Sequence, residues 1–197
     1  MTAFNLVPGM GAWSTSWGRV TVSITATVAS AVVLAPTATA DPTADLKAGM
    51  DAARSETGCP PLVLDPILTA VSQRVAGEMS DYVAHTATSL PTTGDNDLLP
   101  TGAGGVLPVM RQAGYNTNNA RLILGYGDHR MGGSGDNQAK AVRATVLQAQ
   151  GFEAISNCEY SRYGLTLINH DDISQGSPST APRTFSATAV ILAGPAY

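Results

Sequence analysis

The imidazoles of this chain are His85, His129 and His170, and two of them adjoin carboxylates: Asp128 precedes His129, and Asp171-Asp172 follow His170. A carboxylate beside an imidazole is the pairing that orients a general base. Adjacent residues seldom chelate one ion, however, and a polar turn accounts for His170-Asp171-Asp172 more simply. Ser134 lies among glycines in Gly132-Gly133-Ser134-Gly135, but the G-x-S-x-G elbow that exposes a nucleophile needs its second glycine two positions after the serine and a strand before the turn. Both are missing here. Glu78, Asp81, Glu153 and Glu159 are the carboxylates available for glycoside chemistry, and no spacing selects two of them for opposite sides of a sugar. The glycine-rich stretches lack the lysine of a phosphate loop and the strand-turn-helix setting of a dinucleotide fingerprint. Cys59 and Cys158 show no C-x-x-C and no histidine at ligand spacing, which leaves a metal site or a reactive thiol without support.

The chain around these residues has 197 positions, 44% hydrophobic and 13% charged, with a formal charge of −4. That composition suits one globular domain. No Lys/Arg cluster provides the footprint of a nucleic-acid or anionic-membrane partner. Arg19 precedes an uncharged apolar run from Val20 to Leu34, and Pro36 and Ala38-Thr39-Ala40 follow it. A short apolar core before small residues is the pattern of an export signal, too short for a membrane span. Residues 1–40 are therefore expected to be a signal peptide, with Met10 an alternative start. The remaining 41–197 carry ten Lys/Arg against fifteen Asp/Glu, a charge near −5, and neither of the two tryptophans, Trp13 and Trp17. An even cysteine count in an exported chain reads as a disulfide framework, so Cys59 and Cys158 are expected to pair.

Leu46, Met50 and Ala53 recur at helical spacing and predict a helix over 43–56, stopped at Thr57-Gly58. Asp65-Pro66 offers a cap and a proline at the first helical position for a second helix over 66–84. Residues 86–105 are too rich in Pro and Gly for a regular element and read as a long loop. A short helix over 106–113, a strand over 121–124, a glycine-rich loop over 125–135 and a helix over 137–150 follow. The β-branched runs 163–168 and 185–192 predict paired strands joined by a long turn over 171–182. Helices first and strands last imply an α+β domain, an antiparallel sheet covered by helices.

The order of these elements and several motifs resembles the CAP superfamily, the cysteine-rich secretory, antigen 5 and pathogenesis-related-1 fold. Met50-Asp51-Ala52-Ala53-Arg54 resembles the family's first-helix pattern, with Asp51 where Asn is usual. Gly58-Cys59-Pro60-Pro61-Leu62, Asp65-Pro66-Ile67-Leu68, Ala113-Gly114-Tyr115 and Gly164-Leu165 resemble its later motifs in the same order. The resemblance covers most of 41–197 and implies an α-β-α sandwich with a small antiparallel sheet flanked by helices. It also implies a central cleft that in the family usually carries two histidines and acidic residues for a divalent metal. His85 matches the first histidine. Arg121 falls on the cleft glutamate, Phe152 on the second histidine and Val146 on a usual tryptophan, so the metal site is expected to be dismantled. One imidazole beside a guanidinium repels cations, and no metal or cofactor is expected.

The leading reading is a secreted or cell-envelope binding protein without catalytic activity, whose ligand the resemblance implies to be a lipid, a sterol, another small amphipathic molecule, or an envelope or host protein. His85, Arg121, Asp128 and His129 are expected to line its groove, with Arg121 suited to a carboxylate or phosphate headgroup. The alternative is a secreted hydrolase using His85 or His129 as general base. A third possibility is an envelope interaction protein that makes contact through its long loops.

Overall fold

A computed structural model describes residues 41–89, 92, 105–147, 149–171 and 181–197. The expected signal peptide 1–40 and most of the expected loops 86–105 and 171–182 lie outside the described residues. Helix α1 spans Ala44–Ser55, strand β1 Val63–Leu64, α2 Pro66–Val83, α3 Val106–Gln112, β2 Ala120–Asp128, α4 Asn137–Leu147, α5 Ala149–Ser156, β3 Arg162–His170 and β4 Phe185–Ala193. The strands form one sheet in the order β1-β3-β4-β2. β4 runs antiparallel to both β3 and β2, while the two-residue β1 adds a parallel edge to β3. The sheet is mixed, which corrects the wholly antiparallel sheet expected from the sequence.

Alternation along the strands sorts the core into two faces. Phe185, Ala187, Ala189 and Ile191 of β4 and Leu122 and Leu124 of β2 meet α2 and α3 through Leu68, Val71, Val75, Met79 and Met110. Val190 and Leu192, with Ile123 of β2 and Leu165 of β3, meet Leu46 and Met50 of α1, Val146 of α4 and Ile155 of α5. The result is a three-layer α-β-α sandwich, and β4 is buried along its whole length.

The local signals hold where chemistry fixes them. Asp65 caps α2 by accepting from the backbone N–H groups of Ile67 and Leu68, and Pro66 opens the helix. Two differences have a common cause. β2 continues through Gly125, Tyr126, Gly127 and Asp128, where the sequence suggested a loop, and α5 follows α4 where one helix was expected to fade at 150. The glycines permit close approach of a helix and do not mark a turn: a Cβ on Gly125 would lie 1.9 Å from Thr145 Oγ1, and one on Gly127 2.2 Å from the Asn137 carbonyl. Gly151 likewise sits against the backbone of Thr145, where a Cβ would come within 1.9 Å of its carbonyl oxygen.

Candidate functional site

At one end of the sheet the last residues of β2 and β3 and the first of β4 stand in a row on the α2 face: Asp128 and His170 are both register partners of Phe185. Asp128 is 1% exposed. Its Oδ1 accepts from the backbone N–H groups of Arg130 and Met131, both at 2.9 Å, and its Oδ2 from the Tyr126 hydroxyl and from Arg130 Nε at 2.7 Å. Burial pushes this carboxyl up, but the Tyr126 and Arg130 side chains and the two backbone donors outweigh it and hold the carboxyl below its ordinary range. Burial and the neighbouring carboxylate push the Tyr126 phenol well above its ordinary range, so it remains a donor. With four donors on its two oxygens, Asp128 positions Arg130 and Tyr126 and has little capacity left to take a proton from a substrate.

Arg130 and Tyr126 form one side of a cavity of about 520 Å³ whose other walls include Met79, Tyr82, Val83 and His85. His85 has φ 58, the left-handed conformation that turns the chain away from the end of α2, and its side chain is exposed. His129 is exposed on the turn beyond β2. The structure therefore brings His85 to one cleft with Tyr126 and Arg130, the two side chains bonded to Asp128, and does not place His129 in its lining.

Arg121 lies elsewhere. It begins β2, seven residues from Asp128, which separates them by about 23 Å along an extended strand and turns their side chains to opposite faces. It pairs in register with Leu192 and its Nη2 donates to Gln150 Oε1 at 3.3 Å. A groove containing His85, Arg121, Asp128 and His129 together is not formed, because an odd separation along a strand sends Arg121 to the α5 side. His170, read from the sequence as part of a turn, instead ends β3, stacks on Phe185 with centroids 4.5 Å apart and bonds Ser80 Oγ through Nε2. Among the described residues no group of three or more His, Cys, Asp or Glu is arranged to hold a metal ion.

The opposite face of the molecule carries a groove of about 480 Å³ between α1, α4 and α5. Gly49, Ala52, Val142, Val146, Leu147 and Phe152 give it an apolar lining. Leu147 is 65% and Phe152 40% exposed, unusual for side chains of that size beside one another on a surface. Val146 and Phe152, which line the groove, are two of the positions at which the sequence departs from what the CAP resemblance implied. Gly49 adds room, since a Cβ there would touch Val146 Cγ2 at 3.3 Å. What the sequence did not show was α5, the element that brings Phe152 to α1 and α4.

No protein-family model matches the chain, and no curated protein does. Among solved structures, an outer surface protein from Borrelia burgdorferi is similar at 17% identity and a TM-score of 0.47, over 78% of this chain and 95% of that one.

Cys59 and Cys158 form a disulfide that joins the segments following α1 and α5. Arg54, buried in the last turn of α1, stitches the same two segments. Its guanidinium donates to the carbonyls of Pro60 at 3.0 Å and of Ile155, Asn157 and Tyr160 at 2.7 Å. Two of these acceptors lie at the C-terminal end of α5, where the helix dipole favours a cation. The segments that follow α1 and α5, two of the helices that border the apolar groove, are thus held together by a disulfide and by charge-assisted hydrogen bonds.

Proposed function

We propose that the chain is an exported, CAP-like binding protein that holds an apolar or amphipathic ligand, without catalysis, in the groove between α1, α4 and α5. The observation that carries this reading is the groove itself: an apolar trough in the size range of small-molecule sites, about 300–1,000 Å³, with Leu147 and Phe152 left uncovered. Burying such side chains against a hydrocarbon chain is favourable by about 0.8 kcal/mol per methylene. The order of helices and strands supports the CAP resemblance. The disulfide suits an oxidising, extracytoplasmic location, secreted or at the cell envelope.

The test is fluorescence titration with N-phenyl-1-naphthylamine, a neutral apolar probe, backed by native mass spectrometry of the secreted protein. Wild-type protein should bind the probe and release it to an added alkyl chain. Ala52→Phe fills the trough from its exposed wall and Leu147→Glu places a charge in it. Each should weaken binding at least tenfold while circular dichroism stays unchanged. Wild-type protein that binds no apolar probe, or variants that bind as well as wild type, would remove the proposal.

A further inference from the structure

The cleft at the end of the sheet is separate from the apolar groove, and no residue lines both. Its volume of about 520 Å³ also suits a small molecule. Two tyrosine rings, Tyr82 of α2 and Tyr126 of β2, stand in its walls with the thioether of Met79. The Tyr126 ring is backed by Phe185, their centroids 6.1 Å apart. Aromatic faces and a thioether are surfaces against which a flat aromatic ring packs well.

The charge of the cleft has one sign. Among the described residues that line it, Arg130 is the one member of the set Lys, Arg, Asp and Glu. Its side chain is aimed by the network around Asp128: Nε donates to Asp128 Oδ2 at 2.7 Å, the Arg130 backbone N–H to Oδ1 at 2.9 Å, and Nη2 reaches the Tyr126 hydroxyl at 3.5 Å. Asp128 is 1% exposed and takes no part in the lining. The carboxylate thus fixes the guanidinium from behind, while the cleft meets the cation. A guanidinium presents its donors in a planar fork that matches a carboxylate and stacks on aromatic faces. This sign is the reverse of what a divalent cation needs, so the cleft departs from the metal site that the CAP resemblance implies. We propose that it binds a small aromatic acid, the ring against Tyr82 and Tyr126 and the carboxylate on Arg130.

Calorimetric titration with 2-naphthoate and its neutral analogue 2-naphthalenemethanol tests the charge. Wild-type protein should bind the acid about tenfold more tightly than the alcohol at low salt. The advantage should shrink at high salt, because Arg130 is half exposed. Decanoate, an acid without a ring, should displace bound 2-naphthoate only at about tenfold higher concentration. Arg130→Gln should bring acid and alcohol to equal affinity. Thr88→Trp fills the cleft from its exposed rim, clear of the Asp128 network, and should abolish binding of both. Leu147→Glu, in the apolar groove, should leave 2-naphthoate affinity unchanged, and circular dichroism checks that each variant is folded. Equal affinity for acid and alcohol in wild-type protein, or a preference that survives in Arg130→Gln, would overturn the carboxylate contact. Decanoate that competes as well as 2-naphthoate itself would overturn the aromatic ligand. Binding weakened by Leu147→Glu but not by Thr88→Trp would put the acid in the groove, and no binding of 2-naphthoate by wild-type protein would remove the cleft site outright.

Discussion

Among the described residues Arg54 and Asp128 are the two most completely buried charges, and each is satisfied in a different way. Arg54 has carbonyl oxygens in place of a carboxylate partner, and burial lowers its pKa, yet a guanidinium retains its proton at any ordinary pH. Arg54→Ala leaves four carbonyls without their donor and should cost about 3 kcal/mol or more in urea unfolding. Arg54→Lys should recover only part of this, because an ammonium cannot reach the four acceptors with a planar fork. Asp128 behaves oppositely with acid. Its folded-state pKa is depressed, so the stability it contributes is present above the ordinary carboxylate range and is lost as pH falls through the depressed value. Asp128→Asn should cost about 2 kcal/mol at neutral pH, and the difference from wild type should narrow steadily in melts recorded from pH 5 down to pH 2. A constant difference across that range would show that charge is not what the site uses. A cleft role for His85 was expected only through the CAP resemblance, and the place of His170 was not legible in the sequence. Its stacking partner Phe185 comes from another strand, and only the register of β3 on β4 brings them together.

Helix α2 could be read from sequence almost to the residue because its boundaries are set by local chemistry, Asp65 and Pro66 at the start and the end of the apolar stripe at Val83. α5 and the second half of β2 could not, because their sequence signals point the wrong way. Glycine alone reads as a turn former; glycine under a crossing helix is a spacer, and for the β2 glycines the difference lies in partners ten or more residues distant. Gly125→Ala tests this at the scale of the element. Its Cβ would fall on the Thr145 and Thr188 hydroxyls and the Ala141 carbonyl, so α4 must lift from β2. The variant should lose about 1–3 kcal/mol, and hydrogen exchange should accelerate in α4 and β2 before it does in α2. The apolar groove was hidden for the same reason: the destination of Phe152 depended on a helix that its own glycine had concealed.

Across the whole molecule, the disulfide spans a sequence separation of 99 residues, and on the chain-entropy account a loop of this size stabilises by about 4–5 kcal/mol. Reduction should therefore lower the melting temperature markedly. The loss should be smaller in an Arg54→Ala background, whose α1–α5 junction is already loosened, a coupling that a double-mutant cycle with Cys59→Ser/Cys158→Ser would measure. Another feature of the whole fold is the place of β4, which is the last strand in the chain yet lies between β3 and β2 in the sheet. As the polypeptide leaves the ribosome N-terminus first, β2 and β3 emerge before the strand that lies between them, and β3 has only the two-residue ladder to β1. The helical layers can pack on β2 and β3, but those two strands are not joined into one sheet until residues 185–193 arrive. The complete sheet therefore waits until nearly the entire described chain has been made, and a product cut short before Phe185 would lack the strand that joins β2 to β3.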